Sequence, residues 1–262
     1  MHTDEVLDLL KHVAAEVITP RFRSLAGAEV MEKGPGDLVT VADHEAETLI
    51  TARLNAAYPR AVVLGEEAYA ADPALLQRFR AAEHGFTVDP IDGTKNFVHG
   101  SPDHAVMVAE VVDGQSVRGW VWQPEHGVAW VAERGGGVWR DGVRVTRDPV
   151  DPQAEPHGVT SIWALRDTPL EDLPAPTVSW RCCGIDYPRL LEGVTDYVLY
   201  GRSNAWDHAP GTLMLAEAGG AAGHADGTAY GPLVDTPGLV AAADPVTLRA
   251  VQRRIRSRFA LA

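Results

Sequence analysis

Cysteine is almost absent from this chain of 262 residues, whose two cysteines, Cys182 and Cys183, are adjacent. Adjacent cysteines match neither a disulfide framework nor the spacing of a zinc site, so the sequence predicts neither feature. The chain also lacks an apolar run of membrane-spanning length and a basic N-terminus followed by an apolar stretch. These absences together predict a cytoplasmic protein that does not interact with a membrane.

Basic residues are also in deficit, since 23 Lys and Arg are outnumbered by 36 Asp and Glu and the formal net charge is −13. A broad nucleic-acid-binding surface needs an excess of positive charge, so a nucleic-acid partner is not expected. The hydrophobic content of 45% is ordinary for a globular protein with a buried core. The acidic excess does not identify a function by itself, because a few clustered carboxylates could perform all of the chemistry.

Hydrophobic periodicity predicts a mixture of helices and strands, which indicates a layered α+β fold. Helices are expected near residues 3–19, 40–58, 72–82, 186–194, 207–218 and 245–258. Strands are expected near residues 62–64, 85–88, 104–112, 117–123, 128–132, 138–145, 158–163, 176–181 and 196–200. A loop is expected at 33–36. The Pro- and Asp-rich stretch 148–157 is expected to separate an N-terminal lobe, residues 1–147, from a C-terminal lobe, residues 148–262.

The sequence DPIDGT at residues 89–94 is the clearest candidate for chemistry. Asp89 and Asp92 are separated by Pro90 and Ile91 and follow an apolar run that predicts a strand. Two carboxylates held this close repel each other unless a cation lies between them. The Gly-Thr turn behind them offers backbone N–H groups that suit a phosphate group. The segment therefore predicts a site for hard metal ions and a phosphate ester.

Two more carboxylates could join this site, and each has an ordinary alternative. Glu66 follows a predicted buried strand, as Asp89 does, so adjacent strands would bring both to one sheet edge; otherwise Glu66 lies in a solvated loop. Asp207 lies at the predicted start of a helix, where it is either an N-cap or a ligand opposite Asp89 and Asp92. Oxygen ligands without a nearby His or Cys pair favour Mg²⁺ or Mn²⁺ over zinc. Two such ions could hold a phosphate, activate a water molecule and stabilise a leaving alkoxide.

Three sequence blocks, in this order, resemble the inositol monophosphatase family, whose members are magnesium-dependent, lithium-sensitive phosphatases related to fructose-1,6-bisphosphatase. The blocks are GEE at 65–67, DPIDGT at 89–94 and WD at 206–207, followed by two glycines at 219–220. The similarity extends over about residues 33–220. The resemblance implies an α-β-α-β-α layered sandwich that assembles as a homodimer and hydrolyses a small phosphorylated metabolite.

The resemblance also assigns metal ligands. Glu66, Asp89 and the carbonyl of Ile91 would hold one Mg²⁺. Asp89, Asp92 and Asp207 would hold a second Mg²⁺. Glu66 would also face a third, weaker ion, and Mn²⁺ could replace Mg²⁺. The resemblance thus raises Asp207 from a possible helix cap to a ligand.

The same resemblance assigns the remaining catalytic parts. The backbone N–H groups of Gly93 and Thr94 would bind the phosphate at a helix N-terminus. Thr94 and Asp43 would orient the attacking water and help to deprotonate it, and with Glu66 they would form the catalytic set. Lys33 would lie on a mobile loop near the metals.

Two departures from the family pattern concern the alcohol half of the substrate. Lys95 stands where inositol-specific relatives often have Thr; such a Lys occurs in relatives that act on histidinol phosphate or phosphoadenosine phosphate. Tyr200 stands where inositol-specific relatives often place a Glu that contacts the sugar hydroxyls. By this resemblance Lys95, Tyr200, Arg202 and Asn204 would contact the substrate. The presumed metal ligands match the family throughout.

The leading hypothesis is therefore a Mg²⁺-dependent phosphomonoesterase that uses a metal-activated water, with inositol monophosphate or a related sugar or polyol phosphate as substrate. The alternative substrates on the same scaffold are histidinol phosphate, fructose 1,6-bisphosphate and 3′-phosphoadenosine 5′-phosphate. A different class of function is a non-catalytic protein that binds RNA or a transcription complex. The net charge of −13 and the complete set of ligands count against that class.

Overall fold

The structure is a computed structural model that describes residues 1–34, 36–234 and 236–259. Within these residues no helix is both long enough and apolar enough to cross a membrane. The α-helices are α1 (Thr3–Val13), α2 (Val41–Ala57), α3 (Glu66–Ala71), α4 (Ala74–Ala81), α5 (Thr94–Val98), α6 (Cys183–Leu191), α7 (Ala205–Glu217) and α8 (Pro245–Phe259).

The strands belong to a short hairpin and two larger sheets. The hairpin consists of β1 (Val30–Gly34) and β2 (Asp37–Thr40). The seven-stranded sheet contains, in spatial order, β3 (Val62–Gly65), β4 (His84–Asp92), β5 (Ala105–Val112), β6 (Gln115–Gln123), β7 (Val128–Glu133), β8 (Gly137–Arg140) and β9 (Val143–Val145). The five-stranded sheet contains β10 (Gly158–Thr160), β11 (Thr177–Val178), β12 (Tyr197–Tyr200), β13 (Ala221–His224) and β14 (Leu239–Ala242), in the order β11-β10-β12-β14-β13.

One face of the seven-stranded sheet is covered by α1 and α2. Leu10 of α1 and Ile50 of α2 are fully buried, and they belong to one apolar cluster with Phe86 of β4 and Trp120 of β6. Strand β4 is buried along almost its whole length, because helices cover the sheet on both faces. The end of β4 therefore delivers its side chains into the interior of the protein.

The other face of this sheet packs on α6 and α7, which lie between the two sheets. Tyr187 of α6 and Leu213 of α7 share one apolar cluster with Met107 of β5 and Val198 of β12. On the far side of the five-stranded sheet, Ile255 of α8 is fully buried. The order helix, sheet, helix, sheet, helix confirms the predicted α-β-α-β-α sandwich. Because the middle cluster contains residues from both sides of the stretch 148–157, the division into two lobes stays a prediction.

Several predicted elements differ in the structure. In the loop expected at 33–36, Lys33 and Gly34 instead belong to β1. Gly36 turns the chain with φ 75°, and Pro35 lies outside the described residues. Helix α3 and strands β13 and β14 were not predicted. The sequences AAGH of β13 and LVAA of β14 are too short and too rich in Ala to show the alternation typical of strands, and their pairing within a covered sheet provides the stabilisation.

Gly211 marks a close approach of α7 to α6. A Cβ atom at this position would lie 2.1 Å from Cδ2 of the fully buried Tyr187. We expect Gly211→Ala to lower the free energy of unfolding by about 1–3 kcal/mol, because the helix and the ring must move apart. Urea denaturation measures this change. Gly27→Ala is the matched control, since a Cβ there has no neighbour within 4 Å, and an equal loss in both variants would contradict this explanation.

Candidate metal centre

A bulge at the end of β4 brings Asp89 and Asp92 to the same place. Asp89 pairs with Met107 of β5 and Asp92 with Ala105, so β4 has one residue more than β5 between the two pairs. In an uninterrupted strand, side chains three positions apart point to opposite faces of the sheet. The extra residue removes that alternation, and Pro90, which has no N–H to donate to a ladder, suits such a bulge.

Gly93 ends β4 and begins α5 with a left-handed backbone, φ 81°. A Cβ atom there would lie 3.0 Å from Cβ of Cys182 and 3.1 Å from the carbonyl oxygen of Asp103, so both the conformation and the close packing require glycine. Thr94 is the first residue of α5. The structure thus places Gly93 and Thr94 at a helix N-terminus directly behind Asp92, where the family resemblance puts them.

Asp207 of α7 completes a cluster with the two carboxylates of β4. One carboxylate oxygen each of Asp89, Asp92 and Asp207 lies within 4.8 Å of the others. Asp207 is not the helix N-cap, which is Asn204; the Asn204 Nδ2 atom donates a hydrogen bond of 3.1 Å to Asp207 Oδ2. The buried Oδ1 atom of Asp89 has no hydrogen-bond partner. Three oxygen ligands and an unpartnered buried carboxylate oxygen fit a hard divalent cation.

Electrostatic repulsion within this cluster is visible in the pKa values. Burial, followed by the charges of Glu66 and Asp92, raises the pKa of Asp89 well above its usual range. Burial and the charge of Asp92 raise the pKa of Asp207 to about 7. Burial and the charge of Asp207 raise the pKa of Glu66 to about 8. Without a cation the carboxylates can therefore stay together only by keeping protons.

Glu66 lies at the start of α3, directly after β3, and its electrostatic interactions reach both Asp89 and Asp207. It is not one of the three carboxylates that lie mutually within 4.8 Å. Its Oε1 atom instead accepts a hydrogen bond of 2.6 Å from Lys33 Nζ, which also donates to Glu67 Oε1 at 2.9 Å. The side chain of Lys33 thus provides a positive charge at the edge of the acidic cluster, and it does so from a strand, not from a loop.

The start of α3 is held by Glu47, a residue that the sequence did not single out. The two carboxylate oxygens of Glu47 accept hydrogen bonds of 2.8 Å from the backbone N–H groups of Glu67 and Ala68. A Cβ atom at Gly65 would lie 2.3 Å from Cδ of Glu47, so glycine is needed for this contact. The pairing joins α2 to α3 and fixes the direction in which Glu66 leaves β3. No local pattern in the sequence could reveal it, because Glu47 looks like any polar residue of an amphipathic helix.

The buried Asp43 and the half-buried Thr94 form a pair next to the cluster. Thr94 Oγ1 lies 3.1 Å from Asp43 Oδ1 and 2.9 Å from the carbonyl oxygen of Ile91. The Thr40 N–H and hydroxyl donate to Asp43 Oδ2 at 2.8 and 2.5 Å. Burial raises the pKa of Asp43 to about 6. The predicted partners Asp43 and Thr94 are therefore in contact, and Thr40 is the further residue that orients them.

Two cavities open beside the carboxylates. The first cavity, of about 670 Å³, is bordered by Lys33, Glu66 and Asn204. The second, of about 560 Å³, is bordered by Asp92 and Tyr200. Arg202 and Asp207 border both cavities. The predicted substrate residues Tyr200, Arg202 and Asn204 are thus brought to the site. Lys95 is exposed on α5 and borders neither cavity.

Comparisons with known proteins found a matching family model and several similar sequences. The model of the inositol monophosphatase family matches residues 2–258. An inositol-1-monophosphatase of Mesorhizobium japonicum is 31% identical over 253 residues, covering 93% of this chain and 92% of the relative. A histidinol-phosphatase of Mycobacterium tuberculosis is 32% identical, and the match covers 91% of this chain and 95% of the relative. A Nus factor SuhB of Pseudomonas aeruginosa is 30% identical, and the match covers 79% of each chain.

Among solved structures, an inositol monophosphatase of Thermotoga maritima superimposes with a TM-score of 0.82 at 23% identity, and the match covers 97% of this chain and 96% of the other. At this identity the likeness concerns the fold alone. The sequence match to the family extends beyond residues 33–220, the range expected from the sequence blocks, to nearly the whole chain.

The raised pKa values predict that cation affinity increases with pH. Below their pKa values of about 7 and 8, Asp207 and Glu66 hold protons that a cation must displace. We expect the dissociation constant for Mn²⁺ to fall by roughly tenfold or more between pH 6 and pH 8 and to level off above that range. Calorimetric titration in buffers of different ionisation enthalpy measures both the affinity and the protons released.

Asp207→Asn serves as the comparison in that experiment, because it removes one of the protons that the cation displaces. Fewer protons should be released by this variant than by the unmodified protein at pH 6. An Mn²⁺ affinity that does not change with pH would show that these carboxylates are not the cation ligands.

Proposed function

The chain belongs to the inositol monophosphatase family, whose members are phosphoric monoester hydrolases, and on this premise we propose that it hydrolyses a small phosphorylated alcohol in a Mg²⁺-dependent reaction. The proposed substrate is inositol monophosphate or a related sugar or polyol phosphate. The observation that carries the proposal is the cluster of Asp89, Asp92 and Asp207 beside the Asp43–Thr94 pair. A carboxylate cluster next to a helix N-terminus combines the two parts that a phosphate ester needs.

Two ions are proposed to occupy this cluster, and a third, weaker one to lie near Glu66. Glu66, Asp89 and the carbonyl of Ile91 would hold the first ion, and Asp89, Asp92 and Asp207 the second. Bound Mg²⁺ would supply positive charge to the phosphate and make water a stronger nucleophile. Mn²⁺ has the same preference for oxygen ligands and could replace Mg²⁺.

The proton of the attacking water is assigned to the Asp43–Thr94 pair, with Glu66 as the third member of the catalytic set. Thr94 Oγ1 lies 3.1 Å from Asp43 Oδ1, so the hydroxyl can take up a proton while it passes its own to the carboxylate. The Thr40 contacts hold Asp43 in place for this transfer. The backbone N–H groups of Gly93 and Thr94 are proposed to bind the phosphate at the start of α5.

On the alcohol side, Tyr200 and Arg202 border the 560 Å³ cavity and are proposed to contact the substrate. Arg202 is exposed and its positive charge lowers the pKa of Asp207, so it would also attract the substrate phosphate. Asn204 donates a hydrogen bond to Asp207 and also borders the 670 Å³ cavity. We therefore propose that it both orients this carboxylate and contacts the substrate. Lys95 could contact only a substrate that extends beyond the two cavities.

Histidinol phosphate is a second candidate substrate, supported by the M. tuberculosis relative at 32% identity and by Lys95. Fructose 1,6-bisphosphate and 3′-phosphoadenosine 5′-phosphate remain alternatives on the same scaffold. The relative named as a Nus factor gives a reason to test a transcription-associated role, although the net charge of −13 counts against direct RNA binding. A homodimer in the cytoplasm is the proposed state of the protein, by resemblance to the family.

Release of inorganic phosphate from a panel of esters tests this function. The panel contains inositol monophosphates, histidinol phosphate, fructose 1,6-bisphosphate and 3′-phosphoadenosine 5′-phosphate, each with Mg²⁺ and with or without lithium. We expect the highest kcat/KM with an inositol or polyol monophosphate and inhibition by lithium. A higher kcat/KM with histidinol phosphate would change the assigned substrate and leave the proposed reaction, hydrolysis of a phosphomonoester, in place. No release from any ester would refute the proposed activity.

Asp89→Asn and Asp92→Asn test the site itself. Each removes a carboxylate charge from the cluster, and we expect kcat to fall by more than about a thousandfold. Steady-state phosphate release with saturating Mg²⁺ measures the loss. Asp8→Asn is the matched control, because Asp8 is exposed on α1 and the same substitution there should leave kcat unchanged. Activity close to that of the unmodified protein in both cluster variants would refute the assignment of the active site.

A further inference from the structure

The two cysteines of the chain lie against the candidate metal centre. Cys182 is buried directly before α6, and its Sγ atom lies 2.9 Å from Oδ2 of Asp92. The backbone N–H of Gly184 donates to the same oxygen at 2.5 Å. Asp92 is thus bound on one side by the first turn of α6, a segment that follows it by about 90 residues in the chain.

When Asp92 is ionised, as a cation ligand must be, the thiol is the donor in this contact. An ionised carboxylate has acceptor atoms and no proton to give, whereas a thiol can donate one weak hydrogen bond. Bonds to a charged acceptor are shorter and stronger than those between neutral groups, and a sulfur–oxygen distance of 2.9 Å is short for a sulfur donor. The S–H group therefore points at the carboxylate of Asp92.

Two glycines make the approach of α6 to Asp92 possible. A Cβ atom at Gly184 would lie 2.4 Å from Cβ of Ala105 and 3.3 Å from Asp92 Oδ2. A Cβ atom at Gly93 would lie 3.0 Å from Cβ of Cys182. The thiol and the N–H group of Gly184 converge on one oxygen from separate positions, and the backbone N–H groups of Cys183 and Gly93 also bond to the carboxylate. Asp92 therefore cannot rotate without breaking hydrogen bonds.

We propose that Cys182 is a positioning residue for Asp92, and that its S–H···Oδ2 hydrogen bond holds this carboxylate in the orientation that completes the cation site with Asp89 and Asp207. The inference rests on the proposed function only in that Asp92 ligates a cation. It goes beyond that function because it gives one of the two cysteines a specific task. Groups that orient a metal ligand commonly change metal affinity by about 10–100-fold when they are removed.

Cys183 provides a matched control within the same turn. It is the same residue type at the next position, but its Sγ atom lies 4.0 Å from Nδ1 of the buried His208. Any general effect of replacing a thiol at the start of α6 should therefore occur at both positions, whereas an effect transmitted through Asp92 should occur at Cys182 alone.

The test compares Cys182→Ala, Cys182→Ser, Cys183→Ala and Asp92→Asn by calorimetric titration with Mn²⁺ in the absence of substrate. Cys182→Ala should raise the dissociation constant by about 10–100-fold. Cys182→Ser keeps a donor and should stay within about threefold of the unmodified protein, as should Cys183→Ala. The Mg²⁺ concentration for half-maximal phosphate release should change in the same order, with little change in KM for the ester.

Unchanged Mn²⁺ affinity in Cys182→Ala, with weakened binding in Asp92→Asn, would overturn the role of Cys182 and leave the proposed function intact. Unchanged affinity in Asp92→Asn as well would refute the cation site, and with it the proposed function. Circular dichroism and thermal unfolding in chelator establish that each variant is folded.

A spectroscopic readout on the unmodified thiol remains if Cys182→Ala does not fold. The infrared S–H stretching band of Cys182, identified by its loss in Cys182→Ser, should lie below that of Cys183, because the bond to a carboxylate weakens S–H. It should shift upward in Asp92→Asn. The absence of that shift would overturn the proposal.

Discussion

Like charges repel more strongly the less water surrounds them, and Glu66, Asp89, Asp92 and Asp207 meet at a site where Asp89 and Asp92 are buried. Much of the surrounding structure limits this repulsion. Lys33 neutralises part of the charge of Glu66 from the β1–β2 hairpin, and the N–H group of Gly184 points at Asp92 from the start of α6. The remaining negative charge, including that on the unpartnered Oδ1 of Asp89, must be neutralised by protons or by cations. The requirement for a divalent cation is therefore a consequence of how the fold concentrates its acidic groups.

The same constraint explains why the site is built from so many elements. One helix or strand could hardly hold four carboxylates, because neighbouring side chains on a single element diverge or repel. Here α3, β4 and α7 each deliver part of the set, and the middle layer of the sandwich brings α7 against the sheet that contains β4. The buried supports are equally dispersed, since Glu47 lies on α2 and Cys182 precedes α6. Glu66 and Asp92 are therefore held by elements other than their own, the β1–β2 hairpin and the start of α6.

This arrangement sets the limit of what the sequence could predict. The segment 89–94 could be interpreted from its own residues, since its carboxylates, proline and glycine act through local geometry. The ligand role of Asp207 could be inferred only by resemblance to a family, because its local sequence fits a helix cap equally well. Glu47 and Cys182 were missed as supports because their contacts join segments that are distant in the chain. Lys33 was expected in a loop because two nearby glycines and a proline are typical of loops, whereas the structure has a short hairpin there.

The bulge in β4 has a consequence for how such a site can arise or be lost. Asp89 and Asp92 meet because β4 contains one residue more than its partner strand between two pairs of the ladder. If β4 paired without interruption while keeping all of its residues, Asp89 and Asp92, three positions apart, would turn to opposite faces of the sheet. The chemistry thus depends on one irregularity in the pairing of two strands, a feature that no comparison of side chains position by position would register.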